Sequence, residues 1–369
     1  MKKITIIPVV FMIAVWSVST GSNYPHLPLT HKHLTALSDE TRGISEFARG
    51  IKPENKRFCV EDTARALVAV LKMHKLFPSE GTVRLSRLYL DSIVRLQRKD
   101  GSIHFGYDKE GKPLPDLAKG DQVGRVLWGL GYASIYGLDQ GMREQAQDIF
   151  IELLPHLKRK SNGPLPQSYA IQGLHLFLKA KPKSSVANQA LIDCANHLFS
   201  RIPNEHNGSW KWPNRVVTYD SARFPLALLL AFETTRNTDY RDAGISVMNF
   251  LSKTNFPNDG MRLHIIGNQG WFKQGKPPAQ FDQQPVDASS LVEALLAAWR
   301  ITNDEFWKDR ARTAFSWFTG NNVLNLAIYD AQSGGCRDGL SRNGVNQNQG
   351  AESTISFWIA RCEIETIGI

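Results

Sequence analysis

EDTARALVAVL, at residues 61–71, is the first of six similar stretches in this 369-residue chain. Each stretch starts with a small or acidic residue and continues with small and apolar residues at helical spacing, which is the pattern of a helical repeat. The other five are DQVGRVLWGLG (121–131), SYAIQGLHLFL (168–178), YDSARFPLALLLA (219–231), VDASSLVEALLAA (286–298) and AESTISFWIAR (351–361). Successive stretches start 47 to 67 residues apart, so each repeat has room for two helices and two loops.

More polar stretches, each with a single apolar stripe, alternate with these six. They lie at about 84–98, 142–158, 185–200, 239–253 and 304–318. One apolar stripe is typical of a helix that packs on one side only, whereas the six repeated stretches are nearly free of charge beyond their first turn. The pattern predicts six inner helices and an outer layer around them, with the sixth outer helix expected within 31–49.

The predicted fold is therefore all-α, an (α/α)6 toroid that occupies residues 22–369 as one domain. Inner and outer helices alternate in direction, so the N-termini of all six inner helices emerge on one face. Long polar connections with Gly and aromatic residues precede four of these N-termini, whereas the opposite loops are short; the long ones are 99–120, 201–218, 257–285 and 320–349. Because such loops on a rigid scaffold usually carry function, this face is the predicted site.

The N-terminus has the layout of a secretory signal peptide. Met1-Lys2-Lys3 is followed by an almost unbroken apolar run to Val18, which is shorter than the roughly 20 residues that cross a bilayer comfortably. No clean Ala-x-Ala cleavage site follows, so a retained membrane anchor is the alternative for residues 1–21. The sequence predicts an exported protein, periplasmic or extracellular, that meets a membrane only through this segment.

Composition and charge exclude several classes of protein. The chain is 42% hydrophobic and 21% charged, as in ordinary globular proteins, and its net charge of +9 includes only one dense basic cluster, at 158–160. A nucleic-acid-binding protein would show a basic stripe, so no nucleic-acid partner is predicted. The four cysteines form no C-x-x-C pair and the ten histidines form no zinc pattern, so neither a metal nor another cofactor is predicted.

Two cysteines precede repeated stretches that become neighbours when the ring closes. These are Cys59, before the first stretch, and Cys336, before the sixth. In an exported chain they can form a disulfide. Packing as buried free thiols is the favoured interpretation.

Acidic residues mark the starts of most repeated stretches. On the common face, Asp62, Asp121, Asp220, Asp287 and Glu352 should form a ring of carboxylates. Hydrolysis of a glycosidic bond with inversion uses a carboxylic acid to protonate the leaving oxygen and a carboxylate, roughly 6.5–9.5 Å away, to activate water. These five residues are the catalytic candidates, and the sequence does not select a pair among them. The alternative for each is a helix cap, since acids are favoured in the first turn of any helix.

Residues near these acids are the predicted sugar-binding groups. Arg65, Arg125 and Arg223 follow three of the acids by three or four residues, so each acid shares a helical face with an arginine. The loops add aromatic rings and polar side chains suited to an uncharged ligand with many hydroxyls, namely Trp210, Trp212, Tyr219, Trp271, Gln284, Arg337, Asp338 and Gln349. For the loop aromatics, packing of the loop onto the core is the alternative.

FCVEDTARALVAVL (58–71) resembles the C-x-D-D-N-A-R-A-L start of a family in the six-hairpin glycosidase superfamily, found beside or fused to glycosyltransferases in polysaccharide loci. TYDSARFPLALL (218–229), FDQQPVDASSLVEALLAA (281–298) and the segment from GGCRDGL to NQNQGAEST (334–354) resemble that family as well. The resemblance covers nearly the whole chain after the signal segment. It implies the (α/α)6 fold and an association with carbohydrate, but no defined reaction.

The chain departs from the family pattern at its acids. The second block of the family reads Glu-Asp-x-x-Gly-Arg-Ala-Leu-Trp, whereas this chain has Gly120 before Asp121. The first block starts Glu61-Asp62-Thr63 in place of Asp-Asp-Asn. If the acid missing at Gly120 transfers a proton in relatives, this protein is impaired or differently specialised.

Two hypotheses follow. The first is an exported inverting glycoside hydrolase that acts on a neutral or mannose-type oligosaccharide or polysaccharide. The second is a non-catalytic protein of the cell envelope that binds glycans or assembles polysaccharide. Terpenoid cyclisation is disfavoured because the chain has no Asp-Asp-x-x-Asp magnesium site.

Overall fold

The computed structural model describes residues 27–158, 160, 163–203, 210–257 and 260–368. The described residues form twelve α-helices: α1 (Lys32–Leu37), α2 (Val60–Leu76), α3 (Glu80–Leu96), α4 (Asp121–Tyr136), α5 (Gln140–Leu153), α6 (Leu165–Ala180), α7 (Ser185–Phe199), α8 (Arg223–Thr235), α9 (Thr238–Asn255), α10 (Pro285–Thr302), α11 (Glu305–Ser316) and α12 (Ala351–Glu365). None of these helices is long and apolar enough to cross a membrane. The predicted signal segment lies outside the described residues.

The even-numbered helices contain the six repeated stretches and form the inner layer. Their side chains are buried over most of each helix, as expected for helices with neighbours on several sides. Each inner helix packs against the next, and α12 packs against α2, which closes the ring. Helices α3, α5, α7, α9 and α11 each pack on the inner helix that precedes them. The predicted (α/α)6 toroid is confirmed.

The sixth outer helix is shorter than the sequence pattern suggests. Helix α1 has only six residues and packs against α12. The rest of 31–49 turns into short hairpins, because Gly43 adopts a positive φ of 93° and Gly50 one of 58°. Glycine adopts such positive φ values readily in turns, and a residue with a positive φ cannot continue a right-handed helix.

Strands occur in the described residues only as two-residue segments in the loops. They are β1 (Ser38–Asp39), β2 (Gly43–Ile44), β3 (Ala48–Arg49), β4 (Lys52–Pro53), β5 (Phe58–Cys59), β6 (Gly106–Tyr107), β7 (Val216–Val217), β8 (Phe272–Lys273), β9 (Tyr329–Asp330), β10 (Gly335–Cys336), β11 (Leu340–Ser341) and β12 (Gly344–Val345). They pair antiparallel as β1 with β2, β3 with β4, β5 with β6, β7 with β8, β9 with β10 and β11 with β12.

Two of these pairs connect long loops that lie far apart in sequence. Pairing of β5 with β6 ties the segment before α2 to the loop before α4. Pairing of β7 with β8 ties the loop before α8 to the loop before α10. A bridge between Gln283 and Leu340 joins the loops before α10 and α12. The backbone hydrogen bonds therefore hold the loops together at the face where the inner helices begin.

Candidate functional site

The five candidate acids lie where the inner helices begin. Asp62, Asp121, Asp287 and Glu352 are in the first turns of α2, α4, α10 and α12. Asp220 directly precedes α8 and has a positive φ of 54°, an uncommon conformation for a residue other than glycine. The structure therefore brings all five to the same end of the inner layer.

Arg65 joins the first and last inner helices. Its guanidinium forms an ion pair with Asp62, three residues earlier, and a second one with Glu352 of α12 at 2.8 Å. The Asp62 carboxylate also accepts a hydrogen bond from the Cys59 thiol at 2.9 Å. Arg65 and Asp62 are buried, whereas the Glu352 side chain keeps 38% of its surface exposed. Glu352 is therefore held in place by a charge-assisted bond and still meets solvent.

Arg125 of α4 holds a second pair of carboxylates. It forms ion pairs with Glu61 and, at 3.1 Å, with Asp121. The Tyr219 hydroxyl donates to Asp121 at 3.2 Å and also accepts from Arg125 at 3.4 Å. Asp121 keeps 30% of its side chain exposed, so this cluster also meets solvent at the face where the inner helices begin.

Arg223 of α8 holds the third and most buried pair. It lies 3.4 Å from Asp220 and 2.7 Å from Glu293, which is in the middle of α10. The Tyr169 hydroxyl donates to Asp220, and the Arg223 guanidinium lies 4.6 Å from the centre of the Trp128 ring. Buried charges are costly unless paired, and this arginine is paired on both sides.

Asp287 and Glu352 have environments that shift their pKa values in opposite directions. Burial first, and then the negative charges of Asp220 and Glu352, raise the pKa of Asp287 well above its usual range. Its Oδ1 accepts the backbone N–H of Asp220 at 2.6 Å, and its buried Oδ2 has no hydrogen-bond partner in the described part of the chain. Burial acts against ionisation of Glu352 as well, but the charges of Arg65 and Arg125 outweigh it and lower the pKa of that carboxyl.

The opposite shifts favour the protonated form of Asp287 and the ionised form of Glu352. Because both residues are in the first turns of α10 and α12, which pack together, the pair lies at one place on the rim. Titratable groups whose pKa values are driven apart in this way mark an acid and a base. Burial raises the pKa of Asp62 as well. Asp287, whose pKa is raised well above its usual range, and Glu352 therefore form a candidate acid–base pair among the five residues.

The predicted aromatic binding residues fall into two groups. Trp210 and Trp212 are buried, with 9% and 3% exposure, and pack edge-on against Phe272 and Phe224. Their placement agrees with the alternative that loop aromatics pin the loop to the core. Tyr219 and Trp271 are half-buried, and their ring centres lie 6.4 Å apart beside Asp121. These two rings are therefore partly exposed, and a ligand at the face where the inner helices begin can contact them.

The predicted polar residues around α12 mainly contact other groups of the loop that precedes this helix. The Gln349 side chain accepts from Ser333 at 2.7 Å and donates to Asp330 at 2.8 Å, and it is buried. Asp338 accepts from the backbone N–H of Gly350 at 2.8 Å, directly before α12. Arg337 and Gln284 are half-buried, Arg337 at 3.9 Å from Asp330 and Gln284 at the start of α10.

The cysteines near the site are free thiols. Cys59 and Cys336 are both buried, and Cys336 contacts its neighbouring carbonyl, that of Arg337, at 3.6 Å. Ligand atoms of Glu46, Cys59 and Asp62 lie within 4.8 Å of one another. Glu46 is ion-paired to Arg57 and Asp62 to Arg65, so both carboxylates of this cluster already have cationic partners, and burial raises the pKa of the Cys59 thiol well above its usual range.

Two residues that contact the candidate site were not predicted from the sequence. Glu293 is an acid in the middle of an otherwise apolar inner stretch, VDASSLVEALLAA, and that isolation is a signal that points to a buried partner. Tyr169 lies in the third stretch, which has no acid at its start, and its hydroxyl contact with Asp220 has no counterpart in the sequence pattern.

Three solved structures with a similar fold are distant from this chain in sequence. A sugar epimerase from a ruminal bacterium has a TM-score of 0.71 and 12% identity over 94% of this chain and 96% of that one. A D-mannose isomerase also has a TM-score of 0.71 and 12% identity, over 96% and 100% of the two chains. An inactive variant of an α-1,6-mannanase of Salegentibacter, with two consecutive aspartates replaced by asparagines and α-1,6-mannotriose bound, has a TM-score of 0.63 and 11% identity over 92% and 97%.

This chain has the six-hairpin glycosidase-like (α/α)6 fold. The fold implied by the sequence resemblance is thereby confirmed. No family model matches the chain, and no curated protein matches it closely. These neighbours share only about a tenth of their residues with this chain, so the similarity establishes the fold and does not establish a function.

Proposed function

We propose that this protein is a carbohydrate-active enzyme, an inverting glycoside hydrolase that acts on a neutral or mannose-type oligosaccharide or polysaccharide. The observation that carries the proposal is the pair of carboxyl groups with opposite pKa shifts, Asp287 and Glu352, on neighbouring inner helices at the loop-rich face. A protonated acid and an ionised base on one rim are the two groups that this reaction needs.

Asp287 would act as the general acid. Its raised pKa favours the protonated carboxyl group, and that proton would pass to the leaving oxygen. Glu352 would act as the general base, since its carboxylate is ionised and 38% exposed, so water can reach it. The proton taken from water would rest on Glu352 until the site returns to its starting state.

The charge of the site suits an uncharged ligand and a cationic transition state. Arg65, Arg125 and Arg223 each pair with two carboxylates, so each cluster retains an excess of negative charge when both acids are ionised. A negative site stabilises the oxocarbenium-like transition state of glycoside cleavage. It disfavours acidic polysaccharides for the same electrostatic reason.

Known neighbours support the choice of ligand. The mannanase was solved with α-1,6-mannotriose, and a cellulase with a TM-score of 0.57 was solved with cellobiose. In this chain the consecutive acids Glu61 and Asp62 begin α2, and each is held by an arginine of the site. Residues 1–21 favour export of the protein, which a fractionation experiment with and without that segment would test.

Epimerisation or isomerisation of a reducing-end sugar is the second candidate. The sugar epimerase and the mannose isomerase have the higher TM-scores, 0.71 against 0.63 for the mannanase. Such reactions also need one group that removes a proton and one that returns it. Asp287 and Glu352 could serve both chemistries, so the products decide between them.

The test is an assay of the purified protein with mannans, glucans and their oligosaccharides. Reducing-end release is measured together with the thermal shift that each ligand causes, and sugar products are separated to detect epimers. Release of reducing ends supports the hydrolase. An epimer without cleavage establishes the second candidate, and a thermal shift without any product indicates a non-catalytic glycan-binding protein.

A further inference from the structure

A cavity opens at the end of the inner helices opposite to the candidate site. It has a volume of about 360 Å³ and is lined by residues of all six inner helices, mostly from their C-terminal turns. Trp128, Tyr132 and Tyr136 of α4 form one wall, and Gln172 and His175 of α6 lie beside them. This volume is within the range of small-molecule sites. The cavity is separate from the rim that carries Asp287 and Glu352.

Three cations converge on the mouth of this cavity. They are Lys75 of α2, Lys179 of α6 and Arg300 of α10, which come from alternate inner helices and are exposed. None of the three forms an ion pair with a carboxylate in the part of the chain that the structure describes.

The acids that line the same cavity already have other partners. Glu363 is ion-paired to Lys72, Glu293 is ion-paired to Arg223, and Glu233 lies 3.4 Å from His175. Glu363 and Glu293 already have cationic partners, so Glu233 is the one of these three acids left to balance the three cations at the mouth, and an excess of positive charge remains there. An anion placed among the three cations would neutralise this excess.

The cavity also offers a surface for the body of a ligand. The rings of Tyr132 and Tyr136 lie with their centres 4.7 Å apart, and the Lys75 ammonium is 5.1 Å from the centre of the Tyr136 ring. Burial, Lys179 and Arg300 together lower the pKa of His175 to about 3, so its imidazole is neutral and does not compete for the anion. Gln172 and Glu293 supply polar atoms deeper in the cavity.

We infer that this cavity is a second ligand site, one that takes a small organic anion of about the size of a sugar acid or sugar phosphate. The carboxylate or phosphate lies among Lys75, Lys179 and Arg300, and the body of the ligand lies against Tyr132 and Tyr136. The inference stands apart from the proposed function, because the three cations and two tyrosines that carry it lie at the opposite end of the inner helices from Asp287 and Glu352.

The helix dipole alone does not explain this arrangement. A cation in a last helical turn is favourable wherever the helix ends, and Lys253 in the last turn of the outer helix α9 is an example. The dipole does not require three such cations to share one aromatic-walled cavity. Lys253 therefore provides a matched control for the effect of a C-terminal cation.

The experiment is calorimetric titration of the full protein at low salt. The probes are galacturonate, glucose 6-phosphate, inorganic phosphate and neutral galactose. We expect an organic anion to bind at least about tenfold more tightly than galactose, and binding to weaken as salt increases. Comparison of galacturonate with glucose 6-phosphate shows which anionic group the site prefers.

Variants link the binding to this cavity. Replacing both Lys179→Gln and Arg300→Gln should weaken anion binding at least about tenfold, whereas Arg300→Lys and Lys253→Gln should keep it within about threefold. Unfolding curves of each variant show that the fold is intact. Absence of anion binding to the unaltered protein, binding of inorganic phosphate alone, or equal binding by the Lys179→Gln/Arg300→Gln variant would overturn the inference.

Discussion

At the scale of single residues, the proposed function depends on two carboxyl groups whose pKa values are shifted in opposite directions. Asp287 is half-buried beside other negative charges, and Glu352 lies against Arg65. These surroundings could not be predicted from the sequence. The sequence pattern of an acid in a first helical turn fits a helix cap as well as a catalytic residue. Only the burial of the residue and its neighbours in the fold distinguish the two roles.

The pH dependence of turnover follows from these shifts. The proposed reaction needs Asp287 protonated and Glu352 ionised. kcat/KM should therefore fall as pH rises through the raised pKa of Asp287 and fall again as pH drops through the lowered pKa of Glu352. The measurement is a pH profile of kcat/KM on the best substrate of the panel. A profile that is flat across both limbs would count against this pair.

A carboxyl group that is replaced by its amide can no longer donate or accept a proton in the reaction. Asp287→Asn and Glu352→Gln should each lower kcat by about 10²- to 10⁴-fold with the fold unchanged. Asp116→Asn, at an exposed acid in the loop before α4, is the control and should leave activity unaltered. Full activity in both amide variants would remove these residues from the mechanism.

The buried Arg223 cluster should matter for stability. Arg223→Met leaves Glu293 and Asp220 without their cation and should lower the free energy of unfolding by about 3–5 kcal/mol. Adding Glu293→Gln removes one of the uncompensated charges and should restore part of the loss. Denaturant unfolding of both variants measures this, and a double variant less stable than Arg223→Met would show that the charge is not the cause.

At the scale of elements, the repeated apolar stretches predicted the inner helices well. Helices surrounded by others must be nearly free of charge, so their sequences stand out from those of the amphipathic outer helices. The short α1 was not predicted, because apolar periodicity does not show where glycines will reverse the chain. The burial of Trp210 and Trp212 could not be predicted either. An aromatic residue in a loop has the same sequence signature whether it binds a ligand or packs in the core.

The crossing of α4 and α6 requires glycine. A Cβ on Gly131 would overlap the backbone of Gly173, which leaves no side chain free to move aside. Gly131→Ala should therefore destabilise the protein by about 1–3 kcal/mol. Gly141→Ala, near the exposed start of α5, meets only the Asp139 carboxylate at 3.5 Å and should be neutral or stabilising, by up to about 1 kcal/mol. Thermal unfolding of the two variants compares them, and equal stability would contradict tight packing at the crossing.

At the scale of the whole molecule, ring closure is the decisive feature. Helix α12 packs against both α10 and α2, and Arg65–Glu352 and Lys72–Glu363 connect α2 to it near opposite ends. The sequence predicted this neighbourhood from the number of repeats alone. It did not predict that the ring leaves a charged cavity at the C-terminal ends of its inner helices, since that depends on which side chains meet inside.

Removal of the last inner helix should therefore abolish the fold. A chain that ends at residue 350 exposes apolar faces of α2 and α10, and we expect it to aggregate or to bind a hydrophobic dye without a cooperative unfolding transition. A chain that ends at residue 365 keeps α12 and serves as the control. Cooperative unfolding of the shorter chain would show that five hairpins suffice.

The proposed hydrolysis is tested most directly by following the anomeric protons of the products by NMR while the purified protein acts on mannose-type oligosaccharides. We expect new reducing ends whose first-formed anomer is opposite to that of the cleaved bond, and none with the Asp287→Asn variant. A C2 epimer without cleavage, or no product from any sugar of the panel, would contradict the assignment of Asp287 and Glu352 as the acid and base of an inverting glycoside hydrolase.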